Sequence, residues 1–173
     1  MSDALTFFLL LDSLESILTN HFQDPELRIC EIISLLLSIC LHSNFNPSTT
    51  QTSVLLLKNK AASLLQVLLK SCPGRTDLQQ ECSNLLLKAM LKGEPDGYQF
   101  IGSLMGLSKL GPHMAIQSLI KNIAAVKNQL LKLEQLAMGS LEICTKARQV
   151  IFEVFQEVIQ YLEVYKLAEN AET

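Results

Sequence analysis

The sequence predicts an all-α chain of about seven helices in antiparallel pairs, with no sheet. Three observations lead there. Leucine makes up about a fifth of the 173 residues, aromatics only 6%, and Trp is absent, a composition that suits helices packed on helices. Leucine triplets at 9–11, 35–37, 55–57 and 85–87 each lie in a stretch of helical spacing. Three adjacent leucines span roughly 200° of a helix, while a surface helix needs a stripe only somewhat over ~100° wide. Helices with so broad an apolar side have neighbours on two sides, which points to layers. Finally, no segment sustains period-two alternation.

Helix one is expected over about Ala4–Asn20, burying Leu10, Leu14, Ile17 and Leu18 at 3/4 spacing. Helix two opens at Asp24, a capping residue, with Pro25 at the first helical position and Glu26 at the positive dipole end. It continues through Leu27, Ile32, Leu35, Leu36 and Ile39 to about His42, and the polar stretch 43–48 is a loop. Helix three covers about Thr52–Ser71 and stops at Pro73-Gly74, a turn short enough to make helices three and four antiparallel neighbours. Thr76, with Gln79 three residues on, forms a capping box for helix four. That helix carries Leu78, Cys82, Leu85, Leu86 and Met90 to about Gly93.

The stretch Gly93-Glu94-Pro95-Asp96-Gly97 is the strongest break. A short helix over about Tyr98–Leu110 follows, in which Gly102 and Gly106 either admit a close neighbour or make the helix less regular. After Gly111-Pro112, helix six covers about His113–Met138. Beyond Gly139, helix seven covers about Ser140–Ala168, and the last five residues fray. The organisation is a single all-α domain over 1–173, with 1–46, 47–93 and 98–169 as sub-units.

Composition excludes several classes. The chain is 49% hydrophobic with a mean hydropathy of +0.27. Its longest apolar run, Ile32–Leu41, is ten residues, half of the ~20 that a membrane span needs. No basic segment precedes the first apolar stretch, so no signal peptide is expected. The expected location is intracellular, cytoplasmic or nuclear, and not secreted. Cys30, Cys40, Cys72, Cys82 and Cys144 are odd in number and form no C-x-x-C. They are expected as buried thiols rather than disulfides or metal ligands.

Catalytic chemistry finds no support. His21, His42 and His113 each fall at a helix end, without a Cys, His or acidic residue at metal-ligand spacing. Glu153 and Glu157 lie four apart on what reads as a solvated face, not a buried cleft. Gly102-x-x-x-Gly106 follows no strand and makes no nucleotide loop. No Ser-His-Asp order with a nucleophile elbow can be drawn. The expectation is a protein that is not an enzyme and needs no cofactor or metal.

A weak internal repeat is visible. Leu27-Arg28 is followed by Glu31 and Ser34-Leu35, Leu78-Gln79 by Cys82 and Leu85-Leu86, and Ala147-Arg148 by Ile151 and Val154-Phe155. An apolar residue, a long polar residue, then core positions three and six to seven later resembles the second helix of HEAT and armadillo repeats. Asp24-Pro25-Glu26-Leu27-Arg28 looks most like them. The resemblance implies an irregular α-solenoid, in which stacked helix pairs bury a continuous core. The starts lie 51 and 69 residues apart, against the usual ~40–47, so a closed helical bundle remains the competing architecture.

Charge supplies the remaining hint. Residues 1–57 carry one basic residue against six acidic, residues 58–148 twelve against six, and residues 149–173 one against five. The basic middle suits an acidic partner or a phosphate backbone, though a solvated face also accounts for it. Lys121, Asn128, Lys132 and Gln135 fall near one face of helix six, and Lys88 and Lys92 are one turn apart on helix four. The partner-binding residues are therefore expected to be Lys88, Lys92, Lys121 and Lys132. The function expected is a protein-interaction scaffold that takes a peptide or helix in an apolar groove flanked by charge. A nucleic-acid-associated scaffold is the alternative, with few aromatics available for base stacking. A bundle holding an apolar ligand is the lesser one. Homodimerisation through exposed terminal helices is a further expectation.

Overall fold

A computed structural model of the chain describes residues 4–19, 28–43, 45, 49–72, 74–93, 96–136 and 141–171, excluding the side chains of Ala4 and 166–171. Among them are α1 (Ala4–Leu18), α2 (Ile29–Leu41), α3 (Gln51–Ser71), α4 (Thr76–Met90), α5 (Gly97–Lys109), α6 (Pro112–Ala115), a π-helical turn (Ile116–Ile120), α7 (Ile123–Leu136) and α8 (Leu141–Ala171). No sheet occurs among the described residues. The expected cap at Asp24-Pro25-Glu26, the start of the repeat at Leu27, and His21, Pro73, Gly139 and the last two residues lie outside them.

The short fifth helix is the centre of the molecule. Every residue from Phe100 to Leu107 is buried, because α2, α3, α4 and α8 all pack on α5. The closest packing joins α3 to α5, α2 to α3 and α4 to α5. Small residues make such approach feasible. Ala61 and Ala62 are fully buried on α3, and a Cβ at Gly102 would lie 1.9 Å from the Cys40 carbonyl oxygen and 2.9 Å from Lys58 Nζ. Gly102 therefore admits a neighbour and does not merely loosen its helix. Asp96 caps α5, accepting from the Gln99 N–H at 3.0 Å.

At that contact a charged side chain enters the core. Lys58 of α3 is 0% exposed. Its Nζ donates to the carbonyls of Cys40 (2.6 Å) and His42 (2.8 Å), at the C-terminal end of α2. It thereby satisfies acceptors that have no intrahelical donor and puts a cation at the negative dipole end. The Phe45 ring centroid is 5.5 Å away, and Phe45 meets Phe7, His42 and Tyr98 edge-on. Burial pushes the ammonium down to about 8, against smaller opposing effects of Cys40 and Asp96.

Several sequence expectations need correction. The buried face of α1 is Leu11 and Leu14, with Leu10 and Ile17 exposed. The helix is rotated so that Lys60 of α3 pairs with Asp12 and with Glu15 (2.9 Å). In the repeat skeleton, Glu31, Ser34, Leu85 and Phe155 are exposed, while Cys82, Leu86 and Val154 are buried. On α2 the core residues are Ile29, Ile33, Leu36, Leu37, Ile39 and Cys40 instead. Thr76 makes no cap; the residue before α4 is Arg75, whose guanidinium grips Asp77 through Nε (3.1 Å) and Nη2 (3.0 Å). Cys30 is exposed, whereas the other four thiols are buried. His42 caps α2 with its backbone N–H, and its ring packs on Phe7. α8 continues to Ala171 rather than fraying from Glu169.

Helix six is not continuous. Gly111, at φ +96°, is in the left-handed region that glycine tolerates, and Pro112 opens α6. The ladder then widens, with the Lys121 N–H reaching the Ile116 carbonyl at 3.2 Å. Ser118 Oγ bonds the Met114 carbonyl (2.6 Å), and Asn122 Nδ2 the Ser118 carbonyl (2.8 Å). These side chains compete for acceptors that a regular helix would use.

Two stability predictions follow from the α2–α3–α5 contact. Gly102→Ala, which drives a methyl into backbone, should destabilise by about 3 kcal/mol or more. Gly106→Ala meets only the mobile end of Leu86 at 2.8 Å and should cost about 1 kcal/mol or less, helped by alanine's helix propensity; denaturant unfolding would rank the two. Lys58 has a folded value near 8 against its ordinary 10.5, so between those values the unfolded chain binds more protons and stability rises with pH. The unfolding midpoint of wild type minus that of Lys58→Met, taken with its sign, should therefore increase from about pH 7.5 to about pH 9.5. A constant or shrinking difference would contradict this account.

Candidate protein-interaction surface

The lysines singled out from sequence are all exposed. On α4, Leu85 and Lys88 lie three apart on the outer face, with Leu85 itself exposed; Lys92, expected on the same helix, lies past its end at Met90. The end of α4 is tied to the middle of α7 by Gln129. This buried side chain donates through Nε2 to the carbonyls of Leu91 (3.3 Å) and Lys92 (3.2 Å). Lys132 lies three residues on, with exposed Leu131 beside it. The structure thus ties the backbone at Lys92 to α7, with Lys132 nearly one turn beyond Gln129. Lys121 differs from expectation. It sits in the two-residue turn between the π-helical turn and α7, so it shares no continuous helix face with Lys132. The π-helical turn that precedes it packs on α4.

Four of the ten other Lys and Arg residues are buried or ion-paired. Lys58 is buried. Lys60 pairs with Asp12 and Glu15, Arg75 with Asp77, and Arg148 with Glu134 at 2.7 Å. The hydrogen bonds to Asp12 and Glu15 hold the Lys60 ammonium above its usual value, and the Arg75 guanidinium holds the Asp77 carboxyl below its own.

An apolar cavity among Leu119, Ile120, Ile123, Val126, Ile151, Val154 and Phe155 has a volume of about 10 Å³, room for one water at most. A larger, open cleft of about 540 Å³ lies between Leu55 and the start of α8, along Leu141, Glu142, Thr145, Lys146 and Gln149. There Thr52 donates to Glu142 at 2.9 Å. Among the described residues no three His, Cys, Asp or Glu side chains are grouped to hold a metal, and no helix is long and apolar enough to cross a membrane.

Sequence reasoning missed the most apolar exposed surface. On α8, Phe152, Phe155, Ile159, Leu162, Val164 and Tyr165 are exposed, together with Leu5, Leu9 and Ile17 on α1. The α8 residues were read through the repeat skeleton, which assigned Phe155 to the core. The available signal was the spacing 152, 155, 159, 162.

No curated protein and no solved structure matches the chain. A family model does, over residues 3–124: the TAF6 C-terminal HEAT repeat domain. The match runs from α1 to the first residues of α7 and includes the whole α2–α3–α5 contact. The region it describes is non-catalytic and works as a protein-interaction module. By its fold and by this match, the chain belongs to the TAF6 C-terminal HEAT repeat domain family.

Proposed function

We propose that the chain is a docking scaffold in a nuclear transcription assembly of the TFIID kind, the complex to which the family's TAF6 region belongs. It works as a packed array of helices whose outer faces hold other proteins in fixed relation. Its partner is a helix or extended peptide of acidic character, and its docking residues are Lys88, Lys92, Lys121 and Lys132.

The observation that supports this reading most is the α4–α7 junction. Exposed Leu85 and Lys88 lie on α4, Lys92 just past its end, and exposed Leu131 and Lys132 on α7, and Gln129 ties the two segments together. Apolar anchors bordered by charge on a rigid support suit helix or peptide docking. The charges would govern encounter and choice of partner more than the final affinity. The chain's net charge of −3 and its 6% aromatic content weigh against a nucleic-acid duplex.

The test is recovery of TFIID subunits from nuclear extract by tagged wild type and by the variant K88E/K92E/K121E/K132E, with circular dichroism verifying that the variant keeps its helices. The four side chains are exposed, so folding should survive. Recovery should fall tenfold or more. Equal recovery by the two proteins, or none by wild type, would remove this surface from the function.

A further inference from the structure

The joint between α4 and α7 rests on hydrogen bonds more than on close packing. α7 packs chiefly on α8 and on the π-helical turn, with α4 a lesser neighbour. Among the described residues, the hydrogen bonds that join it to the end of α4 come from one side chain. Gln129, 6% exposed, donates through Nε2 to the carbonyls of Leu91 (3.3 Å) and Lys92 (3.2 Å). α4 ends at Met90, so these carbonyls lie where a helix runs out of intrahelical donors. The end of α2 uses the same device, with Lys58 donating to two carbonyls. There the contact is also closely packed, α2 on α3 and α3 on α5, whereas at Gln129 the side chain has little help from packing. Gln129 Oε1 is buried without a hydrogen-bond partner, so the amide acts here through its donors alone.

This joint sets the relation of two positively charged segments. Gln129, Lys132 and Leu136 recur at spacings of three and four and so share one face of α7. Gln129 marks that face as the one turned to the end of α4. The face continues past the contact as Lys132 and Leu136, both exposed. Across the joint Lys92 is exposed as well. Glu134, the acidic residue of α7, lies instead on the side turned to α8, where Arg148 holds it at 2.7 Å. On α4, exposed Glu81 precedes Lys92 by eleven residues, roughly 16 Å along a helix, and exposed charges are screened over about 8 Å at physiological salt.

We propose, on the reading of the lysine surface given above, that Gln129 is a positioning residue for partner binding. By fixing the end of α4 against α7 it makes Lys92 and Lys132 one site. The occupant is an acidic amphipathic helix that spans the joint and sets its apolar side on Leu136. Gln129 touches no partner atom itself. Its part is to hold two half-sites at a fixed separation, so that the partner need not order them on binding.

The test is a double-mutant cycle on the purified chain. The probe is a fluorescein-labelled synthetic helical peptide, about three heptads long, with leucine at alternating three and four spacing and glutamate at the flanks. Binding is read by fluorescence anisotropy. Gln129→Met keeps the length and neutrality of the side chain but has no N–H to give. In the wild-type background it should weaken peptide binding about fivefold or more. In the K132E background, where the α7 half of the site is already lost, it should change affinity by less than about twofold. The Leu91 and Lys92 amides, which bond within the end of α4, should lose hydrogen-exchange protection in Q129M while those of α5 keep theirs. That pattern separates a loosened joint from a loosened core. Equal weakening by Q129M in both backgrounds marks a purely structural role and overturns the proposal, as does unchanged protection at Leu91 and Lys92. Binding that K132E weakens and Q129M does not overturns this proposal alone. No binding by wild type, or binding that K132E leaves intact, overturns the lysine-surface reading and this proposal with it.

Discussion

The fold turns on one buried ammonium. Lys58 reaches from α3 to the carbonyls that close α2, at the one place where α5 comes close enough to touch both. Taking a cation out of water costs several kcal/mol. The end of a helix offsets part of that cost by supplying acceptors and a favourable field, and the ammonium held down at about 8 records the part that remains. The aromatic group of Phe7, His42, Phe45 and Tyr98 lies around the loop end of this contact. α2 and α3 are thus joined by a directional interaction as well as by apolar burial, and α5 packs on the same point through Gly102. Apolar packing alone tolerates sliding; two carbonyls converging on one nitrogen do not.

This explains which features were legible in the sequence. The all-α class was, because leucine spacing and the absence of period two are properties of the chain itself. The breaks at 93–97 and 111–112 were too, because Pro and Gly act locally. The close approach at Gly102 was half legible, since the glycine spacing is visible but its neighbour is not. Lys58 was not legible at all. In sequence it is one more lysine in a basic stretch, and only the meeting of three helices makes it a core residue. The rotation of α1 was lost for the same reason. Leucines at 9, 10 and 11 leave the inward direction open, and Lys60 settles it from the far side by holding Asp12 and Glu15.

The candidate surfaces divide along similar lines. Lysines at helical spacing on α4 could be picked out from sequence, and so could the face of α7. Their meeting could not, because it depends on Gln129, a polar side chain that pattern reading assigns to solvent. The π-helical turn likewise leaves no mark in composition, yet it displaces Lys121 from the face it was expected to share. The family match accounts for the compact part, α1 to the start of α7. The long α8 adds an element that packs on this core through one stripe and leaves another uncovered.

Exposure also sorts the thiols. Burial pushes Cys40 up to about 12 and Cys82 up to about 11, and Cys72 and Cys144 are enclosed as well. Only the Cys30 sulfur, in the first turn of α2, meets solvent. A folded chain with one reachable sulfur has a valence of one toward oxidation. It can be joined to one other molecule through a disulfide, and such a bond can never propagate into a longer covalent array.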